Sequence, residues 1–389
     1  MTSPSPARPA VFTRSDLVVI GGSAVFIVLT GVLHYANTPQ VLTFIVAAIA
    51  VALLASLVGR SVEQLGDRFG AGLTGVLQSA LGNLPELFIG FFALQAGLVT
   101  VVQAALIGSI LSNILLVLGL SFVVGGAKNG VQRFNSERAR TTAVLMVLAT
   151  GALVLPSLAS YVHAPAGGHE NQLSVIVSVI LLAVFALSLP ASIKRSSGAA
   201  AAVGAHEAVA GSAAAPAGGS SADVSPAAPA AGGHGGTRWP LWLAVTMLAV
   251  ASLAAALVSD WFVSALQPAI DALHISPAFA GLVIVAIAGN AIENVVGVQL
   301  AYRNQADYAL SVIINSPIQI ALVLAPALVL LSFLTATTLT LVFAPMLVMA
   351  VAITVITVAF VVFDGESNWL EGASLIALYC IIAAVFWWG

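Results

Sequence analysis

Residues 82–86 read GNLPE and residues 289–293 read GNAIE, each inside an otherwise apolar run, with Glu86 and Glu293 standing 207 residues apart. Ionisable side chains at membrane depth are costly and face a water-filled path or a partner. Neither run contains a lysine or arginine that could pair with its glutamate. Each carboxylate therefore needs a proton or a bound cation. Asn83 and Asn290 precede their glutamates by three positions, a spacing that places amide and carboxylate on one helical face. Pro85 cannot donate to the carbonyl of Leu81, and Pro317 likewise frees that of Ile313. Gly82 and Gly289 allow the backbone to unwind and approach an ion. Carboxylates, amides, hydroxyls and freed carbonyls make an all-oxygen donor set, which suits a hard cation such as Ca2+. The six histidines lie at segment ends or in loops and there is one cysteine, Cys380. Zinc and copper are disfavoured accordingly, and disulfides within the chain are excluded.

The elements that carry these residues must be membrane helices. The chain is 60% hydrophobic and 7% charged, with a mean hydropathy of +1.08, whereas soluble domains are roughly a quarter charged. About 20 apolar residues cross a bilayer core. Eleven segments qualify, near 17–33, 41–58, 71–95, 100–125, 140–158, 173–190, 240–259, 277–301, 308–333, 337–361 and 372–388. An eleven-span arrangement puts all twelve Lys and Arg residues on one side, which the positive-inside rule makes cytoplasmic. The N-terminus is then inside and the C-terminus outside. The first apolar run lacks a cleavage pattern and reads as a retained helix.

Residues 191–238 are rich in Ala, Gly, Ser and Pro and lack the large apolar groups that offset ordering entropy, so they read as a disordered cytoplasmic linker. The linker leaves five spans in 40–190 and five in 239–389, after a cytoplasmic tail (1–16) and an extra helix (17–34). Shifting by 207 residues aligns Gly82, Asn83, Glu86, Gly90 and Ser109 with Gly289, Asn290, Glu293, Gly297 and Ser316. Because five is odd, the two halves cross the membrane in opposite senses. The expected fold is an all-α integral membrane protein: one extra helix plus two inverted-topology five-helix repeats, with the site at the midplane between them. A divalent cation would neutralise the two carboxylates, and in its absence both must take protons. Ca2+ and H+ then compete for one site, and two protons against one Ca2+ is electrically neutral. If the empty, doubly charged site cannot change access, exchange is obligatory.

The stretch GNLPELFIGFFALQAGL with VVQAALIGSILSNILLVLGLSFVVGG resembles the first signature repeat of the calcium/proton exchangers of the cation/calcium exchanger superfamily. GNAIENVVGVQLAYRNQADYALSVIINSPIQIALVLAPALVLLS is similar to the second, and SVEQLGDRFGAGLTGVL and the closing DGESNWLEGASLIALYCIIAAVFWW also resemble that family. The likeness covers most of 60–126 and 255–389. It implies that Glu86 and Glu293 carry Ca2+ and protons alternately. Asn83, Asn290, Ser109, Ser316, Asn113 and Gln319 match polar positions of the signatures, as ligands or as inter-helix hydrogen-bonding groups. Backbone oxygens near Gly82 and Gly289 would contribute. Leu84 and Pro85 replace the small residue and threonine usual in the first repeat, as in the sodium/calcium branch, and Asn294 stands where histidine is usual. Gln319 and Ile320 occupy the place of a further acid in the sodium-coupled branch.

The preferred expectation is a Ca2+/H+ antiporter in a prokaryotic plasma membrane, a transporter rather than an enzyme, with no resident cofactor and no nucleic-acid partner. Na+ or K+ exchange for protons, Na+/Ca2+ exchange, a passive cation channel and a non-transporting scaffold are the alternatives. Glu63, Asp260 and Asp271 read as interfacial charges, and Asp364, Glu366 and Glu371 as an acidic turn between the last two spans.

Overall fold

A computed structural model describes residues 11–36, 38–69, 77–78, 81–187 and 239–388. The linker expected over 191–238 lies outside the described residues. The helices are α1 (Arg14–Tyr35), α2 (Gln40–Phe69), α3 (Leu84–Gln95), α4 (Val99–Asn129), α5 (Ser136–Tyr161) and α6 (Gly167–Leu187). After the linker come α7 (Leu241–Leu273), α8 (Pro277–Gly289), α9 (Ala291–Tyr302), α10 (Ala306–Leu334), α11 (Pro345–Val361) and α12 (Trp369–Trp387). Among the described residues eight helices are long and apolar enough to cross a membrane. The pair α8–α9, bent by 63°, makes a ninth if it is one span, and α3 and α11 are shorter apolar helices.

Burial sorts these helices into a centre and a rim. In the most apolar stretch of α4, 78% of residues are buried, against 11% in α1. Large apolar side chains of α1, α5 and α6, including Val25, Val28, Leu145, Leu148, Ile176 and Val184, are exposed. Such a surface suits an apolar surrounding rather than water. α1 packs against α2, and α2 packs along α7.

Lipid tails are as apolar as leucine, so close backbone approach must hold the centre together. A Cβ at Gly108 of α4 would lie 2.2 Å from the carbonyl oxygen of Leu282, and one at Gly281 of α8 would lie 2.3 Å from that of Val101. The crossing of α4 with α12 has the same form, with Gly119 and Gly372 each against the other's carbonyl oxygen.

The loops gather into two groups. At one end, Arg60 of α2 pairs with Asp16 of α1 at 2.8 Å, and Arg68 donates to the Trp239 carbonyl oxygen. At the same end a two-stranded antiparallel ladder joins β1 (Gln132–Arg133) to β2 (Glu366–Ser367), with Arg133 paired to Glu366 at 3.1 Å. Gly365 enters this ladder at φ +83°, a conformation available to glycine at little cost, and its carbonyl accepts from the Phe134 amide. Lys128 lies over the Tyr302 ring and Arg140 over Phe363. Among the described residues these basic groups share one end.

Three expectations are corrected. Residues 337–344 are not helical: α11 begins at Pro345, where proline's fixed φ favours a helix start. The preceding segment runs extended across the opposite end of the bundle, held by side chains of the first half. Gln103 Nε2 donates to the Thr340 and Val342 carbonyls, Ser157 Oγ to Leu341, and the Tyr161 hydroxyl to Phe343, while Ser174 Oγ accepts from the Leu341 amide. These partners replace the helical hydrogen bonds that the apolar run alone would favour. α2 continues past residue 58 to Phe69 and α7 past residue 259 to Leu273. Asp260 and Glu63 therefore sit within helices, exposed at their surfaces.

At Gly108 a clash with backbone has no cheap relief. Gly108→Ala is expected to destabilise by about 1–3 kcal/mol, visible as a lower Tm in detergent. Gly151→Ala in α5 meets nothing within 4 Å and is expected to hold or raise Tm.

Candidate functional site

The two sequence motifs lie at matching backbone breaks. Between Leu81 and α3, Asn83 adopts φ −96°, ψ 21°; between α8 and α9, Asn290 adopts φ −89°, ψ 22°. A Cβ at Gly82 would sit 2.4 Å from the Gln78 carbonyl oxygen, so the first turn requires glycine. Glu86 and Glu293 each fall in the first turn after the break. There the unpaired amides and the helix dipole favour negative charge. The asparagines sit in the breaks themselves, three positions ahead of the glutamates, and their carbonyls accept the first helical hydrogen bonds of α3 and α9.

Both carboxylates are buried, Glu86 at 8% exposure and Glu293 at 9%. One oxygen of each, Oε2, has no hydrogen-bond partner. A Cβ at Gly289 would lie 2.6 Å from Cγ of Glu86 and 3.2 Å from its Oε1. The Glu86 side chain therefore rests on the break of the opposite half, four residues ahead of Glu293. Among the described residues no three of His, Cys, Asp and Glu come together. Two acids and neutral oxygens are what the site offers a cation.

Behind the carboxylates an amide–hydroxyl network joins α4, α8 and α10. Asn290 Nδ2 donates to Ser109 Oγ and to the Ala286 carbonyl, both at 2.9 Å. Asn113 Nδ2 lies 2.8 Å from Asn290 Oδ1, 2.9 Å from the Ser109 carbonyl and 3.1 Å from Ser316 Oγ. An NH2 group has two hydrogens, so it shares them among three acceptors. The 207-residue counterpart of Asn113 is the apolar Ile320, so the network is one-sided. Asn83 Nδ2, in the corresponding place of the first half, is buried without a partner. Gln319 is half-buried outside the network, at the end of the first α-helical stretch of α10.

π-helical turns flank the site at corresponding positions, Ser112–Val117 in α4 and Ile320–Leu324 in α10, with a third at Ala280–Val285 in α8. Such turns mark functional places in helices. A narrow cleft leads from Glu86 and Ser109 toward the end opposite the basic loops, between apolar walls that include Val102, Leu106 and Leu328. Sequence reasoning missed the cleft because its walls are ordinary apolar residues with no pattern of their own. It read Gly289 as a place where the backbone unwinds and approaches an ion, and the structure adds a seat for Glu86.

Residues 39–194 and 243–388 match the model of the sodium/calcium exchanger protein family, to which this chain belongs. Among similar proteins is the Ca(2+)/H(+) antiporter of Aphanothece halophytica, 34% identical over 366 residues, covering 94% of this chain and 95% of that protein. The solved structure of native YfkE has a TM-score of 0.76 at 29% identity, covering 95% of this chain and 99% of that one. The sodium-calcium exchanger NCX_Mj shares the fold, with a TM-score of 0.52 at 18% identity over 88% of this chain and 97% of that one.

Gly289→Ala forces Glu86 off its seat without removing any donor atom. It is expected to weaken cation binding to the purified protein, measured by calorimetry, far more than Gly151→Ala does.

Proposed function

We propose that the chain is a secondary active transporter that exchanges Ca2+ for H+ by alternating access. Its two five-helix repeats, 40–190 and 239–389, have inverted topology, and α1 stands outside them. Glu86 and Glu293 bind either Ca2+ or protons. Asn83, Asn290, Ser109, Ser316 and backbone oxygens at Gly82 and Gly289 complete the oxygen set, with Asn113 and Gln319 in support. The observation that carries this reading is a pair of buried carboxylates on matching helix breaks, each with an oxygen that no protein donor satisfies. Such charge is tolerable only when compensated, and compensation by something that leaves is transport.

Ca2+ neutralises the pair with one ion and H+ with two. Since both use the same oxygens, occupancy by one excludes the other, and the empty site carries too much buried charge to be moved through the occluded state. The relatives' names support Ca2+ and H+ as substrates, and the basic loops at one end support a cytoplasmic N-terminus by the positive-inside rule. A prokaryotic plasma membrane fits the bacterial relatives.

In proteoliposomes with an imposed pH gradient, Ca2+ uptake is expected to require the gradient. It should fall to background in both Glu86→Gln and Glu293→Gln. Uptake that ignores pH but follows a Na+ gradient would replace this reading with sodium coupling, and flux without any counter-ion would replace it with a channel. Competition fixes the sign of the pH effect: lowering pH on the Ca2+-loading side should raise the apparent KM for Ca2+ with little change in maximal rate. A two-for-one exchange should leave the rate indifferent to membrane potential clamped with K+ and valinomycin.

A further inference from the structure

The two helices that carry the acids end as alike as they begin. α3 (Leu84–Gln95) and α9 (Ala291–Tyr302) are each 12 residues long and correspond end to end under the 207-residue shift. Each stops in a left-handed turn, at Gly97 with φ 80° and at Asn304 with φ 59°. The Gly97 and Leu98 amides donate to the Leu94 and Ala93 carbonyls, and the Asn304 and Gln305 amides donate to those of Ala301 and Leu300. Leu94 and Ala301 are equivalent positions, both buried, and each carbonyl also accepts from a side chain of the opposite half. Thr337, where the extended segment begins, donates through Oγ1 to Leu94 at 2.7 Å. Asn129, beside β1, donates through Nδ2 to Ala301 at 3.2 Å, and Gln132 Nε2 lies 3.5 Å from the same oxygen. A Cβ at Gly125 would collide with the Gln132 amide, so that glycine leaves the room through which Gln132 reaches α9.

We propose that Thr337 and the Asn129–Gln132 pair are positioning residues for cation binding, each holding from the opposite half the far end of a helix whose first turn carries an acid. This role rests on the reading of Glu86 and Glu293 as the shared Ca2+ and H+ site. Each helix follows a backbone break, so no continuous helix orients its N-terminal end, and the contact at its far end must fix its tilt. Glu86 precedes Leu94 by eight residues, as Glu293 does Ala301, which is about 12 Å of helix. Freedom at the clamped carbonyl therefore reaches the carboxylate as displacement. A Ca2+ ion shared by two carboxylates needs both held in one geometry, and partners that orient metal ligands raise affinity for the ion. A proton binds one carboxylate at a time and needs no such agreement. The clamps thus act on Ca2+ affinity and leave proton affinity alone. They sit at opposite ends of the bundle, Thr337 on the extended segment and Asn129 among the basic loops, so each half orients the acid of the other.

The test is Ca2+ titration of the purified full chain by calorimetry at several pH values. Thr337→Val keeps the side-chain shape and removes the hydroxyl, and it is expected to raise the Kd for Ca2+ several-fold. Thr337→Ser, which restores the donor, should return the wild-type Kd. Asn129→Leu combined with Gln132→Met should raise Kd in the same way from the other end. The rise should be by one factor at every pH, so that the pH at which protons begin to compete is unchanged. Misfolded protein would lower the number of binding sites and not the affinity of those that remain. Ser157→Ala removes hydrogen bonds to the same extended segment away from α3, and it should lower Tm with Kd unchanged. Unaltered Kd in the variant of either clamp, failure of Thr337→Ser to restore affinity, or an equal rise in Ser157→Ala would overturn the proposal while Ca2+ binding by the wild type stands. A wild-type chain that binds no Ca2+ would instead remove the exchange reading, and this role with it.

Discussion

Two carboxylates buried in a low-dielectric bundle, with no lysine or arginine paired to them among the described residues, set the terms for the rest of this structure. Uncompensated charge of that kind costs several kcal/mol per ion even after relaxation. The fold lowers the cost in several ways. It breaks two helices so that each acid lies at a helix N-terminus, where backbone amides and the dipole favour negative charge. It surrounds the pair with amides, hydroxyls and carbonyls rather than hydrocarbon alone. It leaves one oxygen of each acid unsatisfied by protein, which keeps the remaining demand for a cation or a proton.

The broken helices make further demands. Non-helical backbone at membrane depth is tolerated only where it is buried in protein or lines a cavity, so the breaks must lie at the centre. Close glycine contacts at Gly108, Gly281, Gly119 and Gly372 draw α8 and α12 onto α4 and make that centre dense. At the two ends, extended segments perform a comparable service. Residues 337–344 are held by Gln103, Ser157, Ser174 and Tyr161 of the first half. The 132–135 segment is held by β2 and Asp307 of the second. Each half thereby ties down a loop of the other.

The pairing of halves is close in backbone and unequal in side chains. Asn83 and Asn290 share nearly the same φ and ψ, yet Asn290 is locked by Ser109 and Asn113 while the amide nitrogen of Asn83 has no partner. Ser316, the counterpart of Ser109, is itself engaged by Asn113 and Asn290, and Ile320 offers no amide where the second half's network uses Asn113. An amide committed to a network is a poor candidate for rearrangement, whereas an uncommitted one is free to turn toward a ligand. The second half thus offers a fixed wall and the first half the adaptable donors, including a Glu86 side chain seated on Gly289.

Much of this was legible beforehand because its causes are local or additive. The long apolar helices follow from composition, the common end of the described basic residues from the charge pattern, and the cost of burying Glu86 and Glu293 from the absence of Lys or Arg in their runs. The two GNxxE motifs marked both breaks, since glycine and proline act on the backbone where they stand. Tertiary structure alone decided which oxygens are spent and which are left over, because hydrogen-bond partners such as Asn113 and Asn290 come from helices 177 residues apart. It decided that the apolar run 337–344 is extended rather than helical, since its backbone partners lie in α4, α5 and α6. And it decided where Glu86 rests, because a missing Cβ at Gly289 has meaning only once another chain segment arrives to use the space.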